Sequence, residues 1–323
     1  MLTRRVVLIG SVATIAVPRA AWAQGSGKAW RIGVLAGVPS TDAHWVAFRD
    51  RLRDLGYVDG KNIAITHVVY RTDDAHMLKS ARELVSLGVD VIVTRAISAA
   101  KRATETIPIV MTEGLRVVEM GLVKSLARPG TNVTGSTWDV TTEEATKRLQ
   151  LLKELIPNMS RLANVWNPRD PGTADYWPDV RTGAKALGLA VDSVPVSDAA
   201  ELERALGNLA RDRPSAVFFW GGTVQYLNQR KICDWAIGAR MPTLVLLSGA
   251  VERGCLMNYA PSSIELYRKA AEYVDKIFRG ARADELPISR PSKFILAINL
   301  KTAKALGLTI PPSLLLRADQ VLE

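Results

Sequence analysis

The chain has 323 residues, 48% of them hydrophobic and 23% charged, and a formal net charge of +10. These values exclude a disordered chain, and so long a chain exceeds what one compact core usually holds, which favours two lobes. The positive surplus is spread without a basic block, and no Arg/Lys cluster with interleaved aromatics is present, so nucleic acid is not expected as a partner.

The first 23 residues read as an export signal. Arg4 and Arg5 precede an apolar run, 6–17, and Ala21-Trp22-Ala23 forms a small-x-small cleavage site before Gln24. The apolar run is too short to span a bilayer and is broken by Pro18 and Arg19. Cleavage after Ala23 removes three Arg and no acid, so the mature charge falls to +7. The arginine pair fits an ordinary secretory signal and also partly resembles a twin-arginine signal; both routes stay open. No later window is apolar for about 18 residues, so an exported, soluble, periplasmic protein is expected.

After a linker, 24–29, short apolar strands alternate with amphipathic helices. Strands are predicted at 30–36, 62–69, 89–94, 107–112 and 132–135, and helices at 43–55, 75–87, 98–104 and 118–126. Trp45, Phe48, Leu52 and Leu55 share one face of the first helix, which Gly56 ends. The alternation then restarts, with helices at 143–155, 173–187, 198–210 and 224–237 and strands at 162–166, 189–196, 216–220 and 243–247. Runs such as 89–93 are β-branched and nearly continuous, as strands covered on both faces should be. Two βα series predict an α/β protein of two doubly wound parallel-sheet lobes. A strand at 256–259, a helix at 264–278, a strand at 294–298 and a helix at 300–306 follow, and periodicity does not assign them to a lobe.

Catalytic chemistry is not apparent. His44, His67 and His76 are the only histidines, and none forms a zinc pair at helical spacing. There is no nucleophile elbow or phosphate loop, so neither an enzyme nor a cofactor or metal is expected. Cys233 and Cys255, the only cysteines, fit a disulfide or two buried thiols equally.

Open α/β sheets bind ligands beyond the carboxyl ends of their strands. That rule selects Ser40, Asp42, His44, Trp45, Thr94, Arg95, Ser98, Thr112, Glu113, Arg116, Ser136 and Trp138 in the first series. In the second it selects Asn167, Asp170, Trp220, Gly221, Gly222, Thr223, Ser248 and Glu252. Helix capping is an equal use for the small polar residues among them. Trp45, Trp138 and Trp220 offer faces for an apolar or planar ligand, whereas Trp166 reads as core. Arg95 and Arg116 follow adjacent strands and are expected to converge on an anion.

Four stretches carry a family resemblance in order: 55–63 (LGYVDGKNI), 126–135 (LARPGTNVTG), 273–281 (YVDKIFRGA) and 299–315 (NLKTAKALGLTIPPSLL). Through them the chain resembles ABC transporter substrate-binding proteins of the tryptophan/tyrosine type. The resemblance implies a type I periplasmic-binding fold with three crossovers and a ligand cleft. On that plan residues 30–136 and 261–285 form one lobe, and 137–260 with 286–323 the other. It also implies a monomer that passes a small-molecule ligand to an ABC permease in the inner membrane; a ligand-sensing subunit docked on a membrane receptor is the alternative. The chain departs from the family at Thr94-Arg95-Ala96-Ile97, at Arg116-Val117 where an Asp-Pro pair is common, and at Gly221 where an Asp often stands. With Arg gained and Asp lost, the expected ligand is an anionic, aromatic or otherwise planar carboxylic acid rather than a standard amino acid. The residues expected to bind it are Asp42, Trp45, Thr94, Arg95, Ser98, Thr112, Glu113, Arg116, Trp138, Asn167, Trp220, Gly221 and Glu252.

Overall fold

The computed structural model describes residues 29–323, apart from residues 72, 139, 140 and 248 and the side chains of 171, 172, 174 and 175. The export signal, most of the linker and Ser248 therefore lie outside the described residues.

The first series forms β1 (Trp30–Ala36), α1 (Ala43–Asp54), β2 (Ile63–Val69), α2 (Asp74–Ser86), β3 (Val91–Thr94), α3 (Ile97–Ala103), β4 (Ile109–Gly114) and β5 (Val133–Thr137). Its five strands pair in the order β2-β1-β3-β4-β5, all parallel. Every residue of β3, β4 and β5 is buried, which is why those strands read as continuous rather than alternating apolar runs. Asp42 caps α1 by accepting from the His44 N–H, and Gly56 follows it with φ 91°, a backbone state that costs other residues more.

The helix expected at 118–126 is not formed. Met120 N–H donates to Arg116 O and Leu122 N–H to Val117 O, but Gly121 then takes φ 68° and the chain continues in turns. Gly121, Pro129 and Gly130 outweigh a weak apolar period there.

The second series comprises α4 (Thr142–Leu155), β6 (Arg161–Trp166), α5 (Pro171–Ala186), β7 (Ala190–Pro195), α6 (Ala199–Asp212), β8 (Ala216–Phe219), α7 (Thr223–Leu227), α8 (Gln229–Gly238), β9 (Thr243–Val245) and β10 (Met257–Pro261). The single helix expected at 224–237 is two, parted at Asn228, whose side-chain amide donates to Val224 O. Then come α9 (Ser263–Phe278), β11 (Phe294–Asn299), α10 (Leu300–Ala305), α11 (Pro312–Leu315) and β12 (Gln320–Leu322). The second sheet runs β12-β11-β10-β9-β8-β6-β7, with only β10 and β11 antiparallel.

Helix α9 returns to the first lobe, where Tyr267, Ala270, Val274 and Phe278 share a core with Trp45, Phe48 and Leu52. The chain passes between lobes after β5, between β10 and α9, and again after Ser289. Before that last passage, Ile288 N–H donates to Leu126 O and Ser289 N–H to Gly135 O. Trp166 is half-buried and packs against the core of the second lobe, stacked on Trp177 with its indole N–H on Ser193. Cys233 and Cys255 are bonded, tying α8 to the segment before β10. Closing a loop of this length stabilises a fold by about 3 kcal/mol.

Candidate ligand cleft

The carboxyl ends of the two sheets face each other across a narrow cavity of about 70 Å³. Each wall is built from turns that the strands deliver. On the second lobe β8 ends at Phe219, and the chain turns through Trp220, Gly221 and Gly222 into α7. A Cβ on Gly221 would lie 2.6 Å from Leu246 O, so no other residue fits that approach.

Aromatic groups make one part of the lining. Trp138 and Trp220 meet edge to face with centroids 5.8 Å apart, and Tyr176 lies against Trp220 at 3.8 Å. Behind them the fully buried Arg148 donates to the Tyr176 hydroxyl at 2.6 Å and to Tyr259 O at 3.2 Å. Its counter-charge is Glu144, whose Oε2 lies 3.6 Å from Arg148 Nη2, and the bond to the Tyr176 hydroxyl fixes that ring against Trp220. On the first lobe Trp45 packs edge-on against Tyr267 and His67.

Charge forms the other part. Arg95 Nε lies 2.8 Å from Glu113 Oε2, and Asp170 of the second lobe lines the same space. Burial works against the Arg95 charge, but Glu113 outweighs it, with Tyr267, Tyr70 and Asp170 adding, and the guanidinium is held more firmly protonated than usual. Burial pushes the Tyr70 and Tyr267 phenols above their ordinary range, and burial together with Asp42 does so for Tyr226. The three phenols are therefore neutral near pH 7. The lining holds two carboxylate residues against one guanidinium.

Among the described residues, side-chain contacts at two places reach from one lobe to the other. Tyr226 of α7 donates to Asp42 Oδ2 at 2.5 Å, and Arg116 pairs with Asp179 of α5, to which Thr142 also donates. The lobes are thus closed on each other.

Of the residues selected from sequence, Trp45, Arg95, Glu113, Trp138, Trp220 and Gly221 line the cleft, as do His44, Asp170, Gly222 and Thr223. Asp42 stands behind His44, its carboxylate taken by the α1 cap, the imidazole and Tyr226. Ser98 and Asn167 line an adjoining hollow that shares Tyr70, Arg95 and Glu113 with the cleft. Thr94 is fully buried and engaged with Leu35 O and Ala96 N–H, and Thr112 is fully buried beside the Tyr267 phenol. Ser136 bonds Ser289, and Ser40 and Glu252 are exposed outside the lining. Arg116 turns to Asp179 and so does not converge with Arg95, whose Nε pairs with Glu113. Sequence reading missed Tyr70, Tyr226 and Tyr267. Tyr70 directly follows β2 and falls under the strand-end rule; the other two sit on helices, where no local signal marks them.

Among the described residues no group of His, Cys, Asp and Glu is placed to hold a metal, and no helix is long and apolar enough to cross a membrane. Residues 31–322 match the family model of ABC transporter substrate binding proteins. The chain belongs to that family. This substrate-binding protein is 27% identical over 273 residues to a tyrosine-binding protein of Clostridioides difficile, covering 84% of the chain and 78% of the relative. Its fold superposes on a conserved domain protein from Vibrio cholerae with TM-score 0.84 at 26% identity, and on an ABC domain in complex with L-Trp from Streptococcus pneumonia with TM-score 0.83 at 24% identity. Both matches span 91% of this chain and all of the other. The family is one of substrate-binding proteins.

Proposed function

We propose that this substrate-binding protein captures an aromatic amino acid outside the cytoplasmic membrane and delivers it to an ABC permease in the inner membrane. The observation that carries the reading is the composition of the closed cleft: an aromatic wall beside one guanidinium and two carboxylate residues. An amino acid is a zwitterion with a ring, and each part meets its complement there. Carboxylates accept from an ammonium group, and Arg95 and the indole N–H groups donate to a carboxylate. The relatives named above as a tyrosine-binding protein and an L-Trp complex point the same way. A purely anionic acid would add a third negative charge to a lining whose Asp170 and Glu113 already outnumber Arg95. The protein acts as a monomer in the periplasm after removal of residues 1–23, with the lobes hinged at their three connections and closing on the ligand.

Calorimetry with the mature protein tests this reading. Tryptophan, tyrosine or phenylalanine is expected to bind at least tenfold more tightly than the matching acid lacking the ammonium group. Equal affinity for the deaminated acid overturns the assignment. The mature N-terminus, read by mass spectrometry of the exported protein, is expected to be Gln24.

A further inference from the structure

Three polar atoms of cleft residues are buried without a partner among the described residues: the indole N–H groups of Trp45 and Trp138, and His44 Nε2. The first two are donors. The third is an acceptor when the ring is neutral, and its neighbour decides which nitrogen that is. His44 Nδ1 lies 2.7 Å from Asp42 Oδ1, and an ionised carboxylate only accepts, so Nδ1 carries the proton. Burial opposes the Asp42 charge, but hydrogen bonds from His44 and Tyr226 outweigh it and hold the carboxyl at about 2, ionised at any physiological pH. A neutral imidazole protonated at Nδ1 presents a lone pair at Nε2. The ring cannot swing away to find another donor. It is 7% exposed and wedged between Tyr267 and Tyr226, with centroids at 5.0 and 5.6 Å.

We infer that His44 is a specificity-determining residue: its Nε2 accepts a hydrogen bond from an N–H or O–H group of the bound ligand, and Asp42 is the positioning residue that fixes which nitrogen does so. The inference rests on the reading of the ligand as an aromatic amino acid, whose ammonium, indole or phenol supplies the donor. It deepens that reading in one respect. Tyr226 of the second lobe donates to the same Asp42 carboxylate, so the contact that sets the acceptor is also one that closes the cleft. A ligand that leaves Nε2 unpaired is selected against by about tenfold or more, the usual cost of a buried polar group without a partner.

The test uses the wild-type mature protein first. It has three histidines, so ¹⁵N-histidine NMR is tractable, with His44 assigned by its loss in H44Q. The expected spectrum shows Nδ1 protonated and Nε2 bare, with the Nε2 resonance moving on addition of tryptophan or tyrosine. An Nε2 that stays unmoved on binding, or that carries a proton, overturns the inference. Calorimetry supplies the second arm. H44F is expected to weaken binding by tenfold or more, and H44Q, whose amide oxygen reaches the place of Nε2, to stay within about threefold of wild type. Equal affinity of H44F and wild type overturns it, and the NMR result decides should H44F fail to fold. Wild-type protein that binds no amino acid sinks the ligand reading and this inference together; binding with an unmoved Nε2 sinks this inference alone.

Discussion

The contacts between the lobes at Asp42 and at Arg116 differ in what they touch. Asp42–Tyr226 stands in the wall of the cleft, and its carboxylate also holds His44, a ligand-facing ring. Arg116–Asp179 lies outside the lining, and its carboxylate is shared with Thr142 of α4, not with any cleft residue. One contact therefore links closure to the ligand, and the other contributes to closure alone. Arg116 adopts φ 44°, a left-handed state that costs a non-glycine residue of order 1–3 kcal/mol and persists where surrounding contacts over-determine it. Closure in this protein divides into a ligand-dependent part and a ligand-independent part, and the parts are separable by mutation.

The larger effect should follow from Asp179→Ala. It leaves the Arg116 guanidinium, with 28% side-chain exposure, without its partner in the closed state. Loss of a hydrogen bond to a charged group costs about 1.5–3 kcal/mol. Only the closed state loses it, so tryptophan, tyrosine and phenylalanine should all bind roughly 30-fold more weakly, by the same factor. Calorimetry with the three ligands checks this. A change in their order of preference would break the distinction between the two contacts. Tyr226→Phe should cost less, about five- to tenfold, because Asp42 keeps the His44 imidazole and backbone N–H as donors. Its effect should differ among ligands, because Tyr226 lines the cleft. A uniform loss for all three would place both contacts in the ligand-independent part.

Much of this arrangement was legible in the sequence where its causes are local. The βα alternation is written in β-branched runs and in caps such as Asp42, Asp198 and Ser262, each of which accepts from a backbone N–H at its own helix start. Trp45, Arg95, Glu113, Trp138, Trp220 and Gly221 were found because a crevice at the carboxyl ends of parallel strands is a property of topology. The failures share a cause in distance along the chain. Arg116 looked like an anion-binding group until Asp179, 63 residues away, came to meet it. Tyr226 reaches Asp42 across 184 positions. The antiparallel pairing of β11 with β10, which carries the C-terminal region into the second lobe, has no local period to announce it.

The smallest predicted effect is on pH, and it isolates Asp42. Its carboxyl titrates at about 2 in the closed protein, against about 3.9 in an unfolded chain. A depressed carboxyl stabilises the folded, closed form above about pH 4, and that contribution disappears as pH falls toward 2, where the unfolded chain has taken up its proton first. The shift converts to a little over 2 kcal/mol, and solvent screening of a half-buried group reduces this to about 1–2 kcal/mol. Asp42→Asn retains a side-chain oxygen to cap α1 but has no charge to lose. The stability difference between wild type and Asp42→Asn, measured by denaturant unfolding with ligand present, should shrink between pH 4 and pH 2. A constant difference through that window would mean that Asp42 is not the charged acceptor shared by His44 and Tyr226. The ligand-linked contact would then reduce to a simple hydrogen bond, no different in kind from its counterpart at Arg116.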